Sequence, residues 1–433
     1  MSSWHVAAAT ASVLLAMPPA AAMQPPTPAA AAPYMACPKP PVVPPVKPPS
    51  SPPVDPAHRA VGGPALATKG LALPPGAPRP PKVTATSWLV ADLSSGAVLG
   101  GCGPHEFRTP ASVQKLLLAA AVMPHLDPAQ VVEVTRSDLD FEPGSSAVGL
   151  VLGGRYSVET LWLGLLLNSG NDAANVLARV GGGATGLRGG IQAMNAEARR
   201  LGAYQTHAVT PSGLDGPGQF TSAYDLALIA RACFARDDFR RYAATRVAQI
   251  PAQRKAAGFQ ISNDNHLLDR YPGMLGGKTG FTDLARQTYV GVAERNGRRL
   301  VVTLLGAETQ PLGSLGEATA LLDWGFALPH DTAVGHLVAP QEGVSTPNPT
   351  TADIAKTGAP GRTDGRPRSA STAAVTGIAV GAVLMVLLVV AARQPIAARS
   401  RASRRQPAAG TLHPSGTPAV PDESPPANPS PDP

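Results

Sequence analysis

The pattern of hydrophobic and polar positions predicts strands at both ends of a central region. Residues 87–100 read SWLVADLSSGAVLG, which predicts two strands joined by a turn at Ser94-Ser95-Gly96. Segments 276–281, 287–294 and 298–307 are also strand-like, and Asn296-Gly297 between the last two is a strong hairpin signal. Strands that come from both ends of a region can assemble into one antiparallel sheet.

Helical patterns fill the space between these strands. Residues 112–123 form an apolar stretch between Pro110 and Pro124, which is typical helix punctuation. Further helices are predicted, including a closing amphipathic one, at 158–167, 172–180, 191–201, 222–234 and 312–328. We therefore predict an α+β fold, in which an antiparallel sheet is flanked by helices and carries an inserted all-helical subdomain.

Two apolar runs lie outside this region. The run at 6–17 is too short to span a bilayer and is followed by small residues, which predicts a signal peptide over 1–22. The uncharged run at 373–392 is long enough to cross the membrane, since about 20 helical residues span the hydrocarbon core. We expect a single-pass cell-membrane protein with the region between the two runs outside the cytoplasm.

Composition sets the remaining boundaries. Many of the 48 prolines lie between Pro18 and Pro81 or from Pro340 onward. Such segments have too little hydrophobic content to offset the entropy of ordering them. The sequence thus predicts a disordered leader at 23–82, a folded domain at 83–330, a disordered stalk at 331–372 and a disordered cytoplasmic tail at 393–433.

The charge and the cysteines exclude some partners. The formal charge is +7, but the arginines are scattered and form no basic helix or aromatic stacking platform, so we expect no nucleic-acid partner. The three cysteines lack metal-site spacing, and we expect no metal. Outside the cell, Cys102 and Cys233 could form a disulfide, and the sequence does not decide whether they do. Cys37 is interpreted as incidental.

The first candidate for chemistry is Ser112-Val113-Gln114-Lys115, an S-x-x-K at the start of a predicted helix. The three-residue spacing puts both polar side chains on one helical face. A neutral Lys115 could take the Ser112 proton as the hydroxyl attacks an acyl group. Taken alone, the motif is more often a capping serine with a surface lysine.

Two further triplets favour the catalytic interpretation of Ser112 and Lys115. Ser169-Gly170-Asn171 lies in a turn between predicted helices, and Lys278-Thr279-Gly280 opens a predicted strand. The series S-x-x-K, S-x-N and K-T-G, in this order, is the set of penicillin-binding proteins and class A β-lactamases. The three triplets together predict an acyl-transfer site.

From these motifs, residues 83–330 resemble the low-molecular-mass D-alanyl-D-alanine carboxypeptidases. The leader, the single domain and the C-terminal span look most like the mycobacterial DacB type. The supporting stretches are RTPAS at 108–112, YSVE at 156–159, SGNDAA at 169–174, MN at 194–195, SGLD at 212–215 and GKTGFT at 277–282. The resemblance implies an antiparallel sheet between helices, with the site between the sheet and a helical subdomain.

The resemblance also implies the catalytic roles. Ser112 would be the nucleophile and Lys115 its base, while Ser169 and Asn171 would relay protons and hold the substrate amide. A lysine base must be neutral, although a free lysine has a pKa near 10.4. Burial and a nearby cation both lower that pKa, and Lys278 could supply the cation. We therefore expect one neutral and one charged lysine.

Substrate binding is implied at the K-T-G strand. Lys278 and Thr279 would meet the terminal carboxylate of D-Ala-D-Ala, and Gly280 would let the substrate backbone approach closely. The N–H groups of Ser112 and Phe281 would form the oxyanion hole. One departure from the family pattern follows this strand, because Arg rather than Gly comes after Ala at 285–286.

The expected reaction is removal of the terminal D-alanine from peptidoglycan pentapeptide stems through an acyl-enzyme, without a cofactor and with β-lactam antibiotics as inhibitors. The motifs do not distinguish this reaction from that of a DD-endopeptidase or transpeptidase on the same fold. A β-lactamase is opposed by Gly170 in place of Asp and by the lack of E-x-x-L-N after it. An inactive cell-wall-binding module is opposed by the intact Ser112, Lys115 and Lys278.

Overall fold

The computed structural model of the protein describes residues 1, 34–41, 51–53 and 55–342. The strands of the described part are β1 (Leu71–Ala72), β2 (Ser87–Asp92), β3 (Ala97–Cys102), β4 (Val131–Glu133), β5 (Arg155–Ser157), β6 (Val247–Ile250), β7 (Phe259–Ser262), β8 (Met274–Thr282), β9 (Arg286–Arg295), β10 (Arg298–Ala307) and β11 (Gly335–His336). Its α-helices are α1 (Pro56–Arg59), α2 (Lys115–Val122), α3 (Val158–Leu167), α4 (Asn171–Gly181), α5 (Gly186–Leu201), α6 (Ala223–Phe234), α7 (Asp237–Ala244), α8 (Leu267–Arg270) and α9 (Gly313–Ala327).

A seven-stranded antiparallel sheet forms the centre of the described residues. Its order is β1-β3-β2-β10-β9-β8, and β11 also pairs with β3. Strands from both ends of the region meet where β2 pairs with β10, at registers such as Val90 with Val302. The α+β prediction is therefore confirmed, and β8 is left at the edge of the sheet.

The central strands are apolar on both faces because helices cover both faces. Val301 of β10 packs into the hydrophobic cluster that contains α6, whereas Leu300 and Val302 pack into the cluster that contains α9. Successive residues of a strand point to opposite faces, so this alternation places one cluster on each side of the sheet. Two covered faces explain why β10 reads as a continuous apolar run.

The insertion between β3 and β8 carries the helices α2 to α8. It also contains two short antiparallel ribbons, β4 with β5 and β6 with β7, so it is mainly rather than wholly helical. The backbone carbonyl of Leu167 at the end of α3 accepts a hydrogen bond from Asp264 N at 3.0 Å, and Arg155 N in the first ribbon donates to Gln253 Oε1 at 2.8 Å. These contacts tie the first part of the insertion to its last part, which leads into β8.

The predicted leader and stalk boundaries are wrong where the structure describes them. Leu71 in β1 donates its N–H to the Met35 carbonyl at 2.7 Å, and β1 pairs with Cys102 and Gly101 in β3. On the C-terminal side, β11 pairs with Val98 and Ala97 of the same strand. The high proline content made these segments look disordered. Their short strands form only because the distant strand β3 offers an edge for pairing.

The cysteine interpretation is also corrected. Cys37 forms a disulfide with Cys102, and their sequence separation is 65 residues. Cys233 is a free, buried cysteine in α6, and its thiol lies 3.2 Å from the Leu116 carbonyl oxygen. Burial raises the pKa of this thiol, so Cys233 stays protonated. The disulfide fastens residues 34–41 to the sheet.

The predicted signal peptide, membrane span and cytoplasmic tail (1–22, 373–392 and 393–433) lie outside the described residues, apart from Met1. Among the helices of the described part, none combines the length and the apolar character needed to span a bilayer.

Candidate active site

Ser112 lies in a tight turn at the start of the helical segment. A 3-10 turn (Ala111–Gln114) precedes α2, rather than the α-helix predicted from residue 112. Ala111 has a φ of 50°, in the left-handed region that costs a non-glycine residue energy. A Cβ at Gly213 would lie 1.9 Å from the Ala111 carbonyl oxygen, so glycine is required there. The turn is thus held tightly against neighbouring segments.

Lys115 is fully buried, and its Nζ atom has three polar neighbours. They are Ser112 Oγ at 2.8 Å, Asn171 Oδ1 at 2.8 Å and the Ser212 carbonyl oxygen at 2.9 Å. A neutral amine has two hydrogens and one lone pair. A carbonyl oxygen can only accept, so the Ser212 carbonyl takes one hydrogen, and Asn171 Oδ1 takes the other. The lone pair is then left for the Ser112 hydroxyl proton.

Charge and burial favour this neutral form. Burial is the main cause that sets the pKa of Lys115 well below 10.5, and the positive charge of Lys278 lowers it further. The Asp172 carboxylate acts in the opposite direction. Burial also lowers the pKa of Lys278, to about 8, while Asp264 opposes that change. Burial and the neighbouring cation thus both favour the neutral form of Lys115, which suits this lysine to be a base.

Ser169 and Asn171 occupy the turn between α3 and α4. Ser169 has a φ of 59°, again in the left-handed region, and its buried Oγ makes no hydrogen bond within the described residues. Asn171 starts α4, and its Nδ2 donates to Ser145 Oγ at 2.9 Å. The turn thus places Asn171 against Lys115 and Ser169 at the wall of the same cavity.

The K-T-G triplet lies in β8, at the edge of the sheet. The Lys278 ammonium is buried and donates to the Thr279 carbonyl at 2.8 Å. A Cβ at Gly280 would lie 2.4 Å from Thr288 Oγ1 and 2.8 Å from Ser112 N. Gly280 therefore allows the strand to lie against the nucleophile turn, which is a different reason from the predicted approach of substrate. Phe281 is 55% exposed.

The departure from the family pattern after this strand has a structural explanation. Arg286 has a φ of 56°, a conformation that glycine adopts without cost. Its guanidinium makes a bidentate ion pair with Glu308, at 3.1 and 2.9 Å. This ion pair holds the side chain that the arginine adds at that position.

A cavity of about 950 Å³ connects these groups. Six of the eight predicted site residues line it, and the buried Lys115 and Lys278 lie behind its wall. The six are Ser112, Ser169, Asn171, Thr279, Gly280 and Phe281. The cavity is also lined by Asp264 and Arg270 and by Ser314 and Leu315 in the N-terminal turn of α9.

Sequence reasoning missed three contributors. The Ser212 carbonyl binds Lys115, Ser145 binds the Asn171 amide, and Asp172 accepts four backbone N–H groups. A backbone carbonyl leaves no trace in residue type, although Ser212 begins the SGLD stretch that supports the family resemblance. No motif marks Ser145.

An S-x-x-K pair with a buried lysine, an S-x-N turn and a K-T-G edge strand around one cavity define the fold and site of a penicillin-binding serine peptidase. The sequence profile of the D-alanyl-D-alanine carboxypeptidases, peptidase family S11, matches residues 75–309. The chain belongs to this family. The match covers all eight predicted site residues.

Individual relatives are also D-alanyl-D-alanine carboxypeptidases. The chain is 44% identical over 262 residues to the D-alanyl-D-alanine carboxypeptidase DacB2 of Mycobacterium tuberculosis, which covers 59% of this chain and 87% of that protein. It is 35% identical over 263 residues to the D-alanyl-D-alanine carboxypeptidase DacD of Escherichia coli, over 58% of this chain and 65% of the relative.

Solved structures share the fold. An evolved putative penicillin-binding protein homologue from Mycobacterium tuberculosis matches with a TM-score of 0.58 and 42% identity, over 61% of this chain and 100% of the other. The Streptomyces K15 DD-transpeptidase matches with a TM-score of 0.55 and 26% identity, over 58% of this chain and 100% of the other.

Proposed function

We propose that this chain is a serine-type D-Ala-D-Ala carboxypeptidase that removes the terminal D-alanine from peptidoglycan stem peptides. One observation carries the proposal. The Nζ of fully buried Lys115 has two acceptors, Asn171 Oδ1 and the Ser212 carbonyl, and lies 2.8 Å from Ser112 Oγ. This arrangement suits a neutral general base that activates a serine.

Acylation proceeds in two proton transfers. Lys115 accepts the Ser112 proton while Oγ bonds to the carbonyl carbon of the penultimate D-alanine. The resulting lysine ammonium lies beside Asn171, and the proton passes by way of Ser169, which lines the same cavity, to the departing nitrogen as the peptide bond breaks. The products are free D-alanine and an ester between Ser112 and the shortened stem.

The edge strand orients the substrate. Lys278 and Thr279 bind the terminal carboxylate, and the N–H groups of Ser112 and Phe281 stabilise the oxyanion, where one such donor contributes about 10²–10³ in rate. Support comes from the position of β8, since Thr279, Gly280 and Phe281 line the same cavity as Ser112. Charge also supports it, because a Lys278 with a pKa of about 8 remains largely cationic at neutral pH.

Water then hydrolyses the ester, with Lys115 again taking a proton. Among the described residues that line the cavity, Asp264 is the only carboxylate, and no glutamate lies there to activate water as in class A β-lactamases. We therefore expect penicillins to acylate Ser112 and to be released slowly. Penicillin turnover at the rate of a β-lactamase would contradict this expectation.

We also propose that the enzyme works outside the cytoplasm while anchored to the membrane. The support is the apolar run at 6–17, the uncharged run at 373–392 and a disulfide at Cys37 and Cys102, a bond that persists in oxidising compartments. Fractionation with protease protection of the full-length chain tests this. Full recovery in the soluble cytoplasmic fraction would contradict it.

A second reaction on the same site has support from the shape of the cavity. The cavity is also lined by Asp264, Arg270 and the start of α9, and its volume of about 950 Å³ leaves room for more than one alanine beyond the scissile bond. The similar Streptomyces K15 protein is named a DD-transpeptidase. Cleavage or formation of D-Ala crosslinks is therefore the second candidate.

The decisive assay uses the full-length protein with a D-Ala-D-Ala pentapeptide. We expect stoichiometric release of D-alanine from the wild type and none from Ser112→Ala. A crosslinked dimer of stems, offered separately, distinguishes endopeptidase activity. No D-alanine from the wild type would contradict the carboxypeptidase proposal, and equal release from Ser112→Ala would contradict the nucleophile assignment.

A further inference from the structure

The orientation of the Asn171 amide decides whether Lys115 can act as a base. If the amide oxygen faces Lys115 Nζ, it accepts a hydrogen and leaves the lone pair of the amine for Ser112. If the amide nitrogen faced it, the N–H groups of Asn171 would compete with Ser112 for that lone pair. Amide orientation follows from the hydrogen-bond network around it.

Ser145 supplies the group that decides between these orientations. Its Oγ lies 2.6 Å from the Glu142 carbonyl oxygen, which can only accept, so the Ser145 hydroxyl hydrogen is already used. The same Oγ lies 2.9 Å from Asn171 Nδ2 and must therefore accept from it. With Nδ2 directed at Ser145, Oδ1 is directed at Lys115 Nζ, 2.8 Å away.

A buried carboxylate holds the loop that carries Ser145. Asp172 accepts N–H groups from Val148, Gly149 and Leu150, each at 2.9 Å, and is 1% exposed. Its chain neighbour Asn171 donates its own N–H to the Ser146 carbonyl at 2.9 Å. The loop and the start of α4 are therefore fixed to each other directly after Ser145, at residues 146 and 148–150.

We propose that Ser145, held in place through Asp172, is a positioning residue that sets the orientation of the Asn171 amide and thereby leaves the Lys115 lone pair to Ser112. This inference rests on the proposed function, since it concerns the same acylation step. It assigns a role to a serine that lies outside all three motifs.

The test measures the rate of Ser112 acylation by a penicillin in the full-length protein, as a function of pH. The variants are Ser145→Ala, which removes the acceptor, and Ser145→Thr, which keeps a hydroxyl. Ser137→Ala is the matched control, because this exposed serine lies in the preceding turn away from the cavity. Asp172→Asn tests the support of the loop, and thermal melting reports the folding of each variant.

We expect Ser145→Ala to lower the plateau rate about tenfold, the worth of one well-placed hydrogen bond. The acid limb of its profile should also move to lower pH, because a turned amide presents N–H groups to the Lys115 ammonium. Ser145→Thr should recover most of the rate, and Ser137→Ala should match the wild type. Asp172→Asn should change the rate in the same direction as Ser145→Ala.

Three results distinguish the outcomes. A Ser145→Ala profile identical to the wild type would overturn the inference. A lower plateau with an unmoved acid limb would show a merely structural role and would also overturn it. If the wild type releases no D-alanine from pentapeptide while the penicillin profile shifts as expected, the inference stands and the carboxypeptidase proposal fails.

Discussion

The carbonyl oxygen of Ser212 lies 2.9 Å from Nζ of Lys115. This contact takes one hydrogen of the amine and is independent of any side-chain choice at position 212. The neighbouring Gly213 has a φ of 89°, and a side chain there would collide with Ala111 beside the nucleophile. The SGLD stretch therefore contributes to the base through its backbone, which explains why no catalytic group was apparent in it.

Replacing Lys115 by arginine should abolish acylation. Arginine keeps its positive charge at any working pH and cannot accept the Ser112 proton. We expect the rate of penicillin acylation to fall about 10²–10⁴-fold, the usual contribution of a general base. Mass spectrometry of the intact protein measures the covalent adduct.

The matched control for this change is Lys255→Arg, at an exposed turn of the insertion. It should label at the wild-type rate. Lys115→Arg labelling as fast as the control, with an unchanged melting temperature, would show that another group activates Ser112.

The pH profile should have two limbs with separate causes. Acylation needs neutral Lys115, whose pKa is lowered, so the rate rises as pH increases through that value. Binding of the terminal carboxylate needs cationic Lys278, whose pKa is about 8, so kcat/KM for the peptide falls as pH rises above about 8. A series of kcat/KM values with pentapeptide measures both limbs.

Lys278→Arg separates the two limbs, because arginine stays charged and should remove the alkaline limb while leaving the acid limb. A peptide that ends in D-alaninamide, which has no carboxylate, should likewise lack the alkaline limb with the wild type. An alkaline limb that persists in both cases would assign it to another group.

Loss of the Cys37–Cys102 disulfide should destabilise the folded domain. The bond closes a loop across a sequence separation of 65 residues, and bonds of this kind contribute about 2–4 kcal/mol by restricting the unfolded chain. Cys37→Ser and Cys102→Ser should each lower the free energy of unfolding by that amount, measured by denaturant titration. The double variant should lose no more than either single variant.

A reducing agent supplies the control. It should destabilise the wild type and Cys233→Ser alike, because Cys233 is outside the bond, and should leave Cys37→Ser unchanged. Equal stability of reduced and oxidised wild type would mean that the bond does not hold residues 34–41 to the domain.

Gly280→Ala should slow the acylation of Ser112. The added methyl would meet Thr288 Oγ1 at 2.4 Å and Ser112 N at 2.8 Å, so β8 must move away from the nucleophile. A displacement near 1 Å at a reacting group can cost about 10²-fold in rate, and we expect a loss of that order in acylation.

Gly76→Ala is the comparison for the rate, since a methyl there meets nothing within 4 Å and the exposed turn does not line the cavity, although its φ of 76° makes alanine cost some stability. It should keep the wild-type acylation rate. Wild-type acylation in Gly280→Ala would show that the close approach of β8 to Ser112 is not needed for the reaction.

Most of the fold could be predicted because its main elements carry their own periodicity. The predicted bounds of α3 and β10 match the structure, since each is a mainly apolar segment with clear start and stop signals. The short strands β1 and β11 were missed, because two residues carry no pattern and pair only where β3 offers an edge. The short polar helix α7 was missed as well, since its buried face is small.

The three motifs, and with them the class of reaction, were determined by the sequence alone. Residue type and short spacing are sufficient for a nucleophile and base three positions apart in one helical turn. The tertiary structure decided how that base works. Asn171 and Ser212 are 56 and 97 residues from Lys115, and Cys37 is 65 residues from Cys102. Contacts over such separations, and the burial that makes one lysine neutral, depend on how distant segments pack, and no local pattern of residues encodes them.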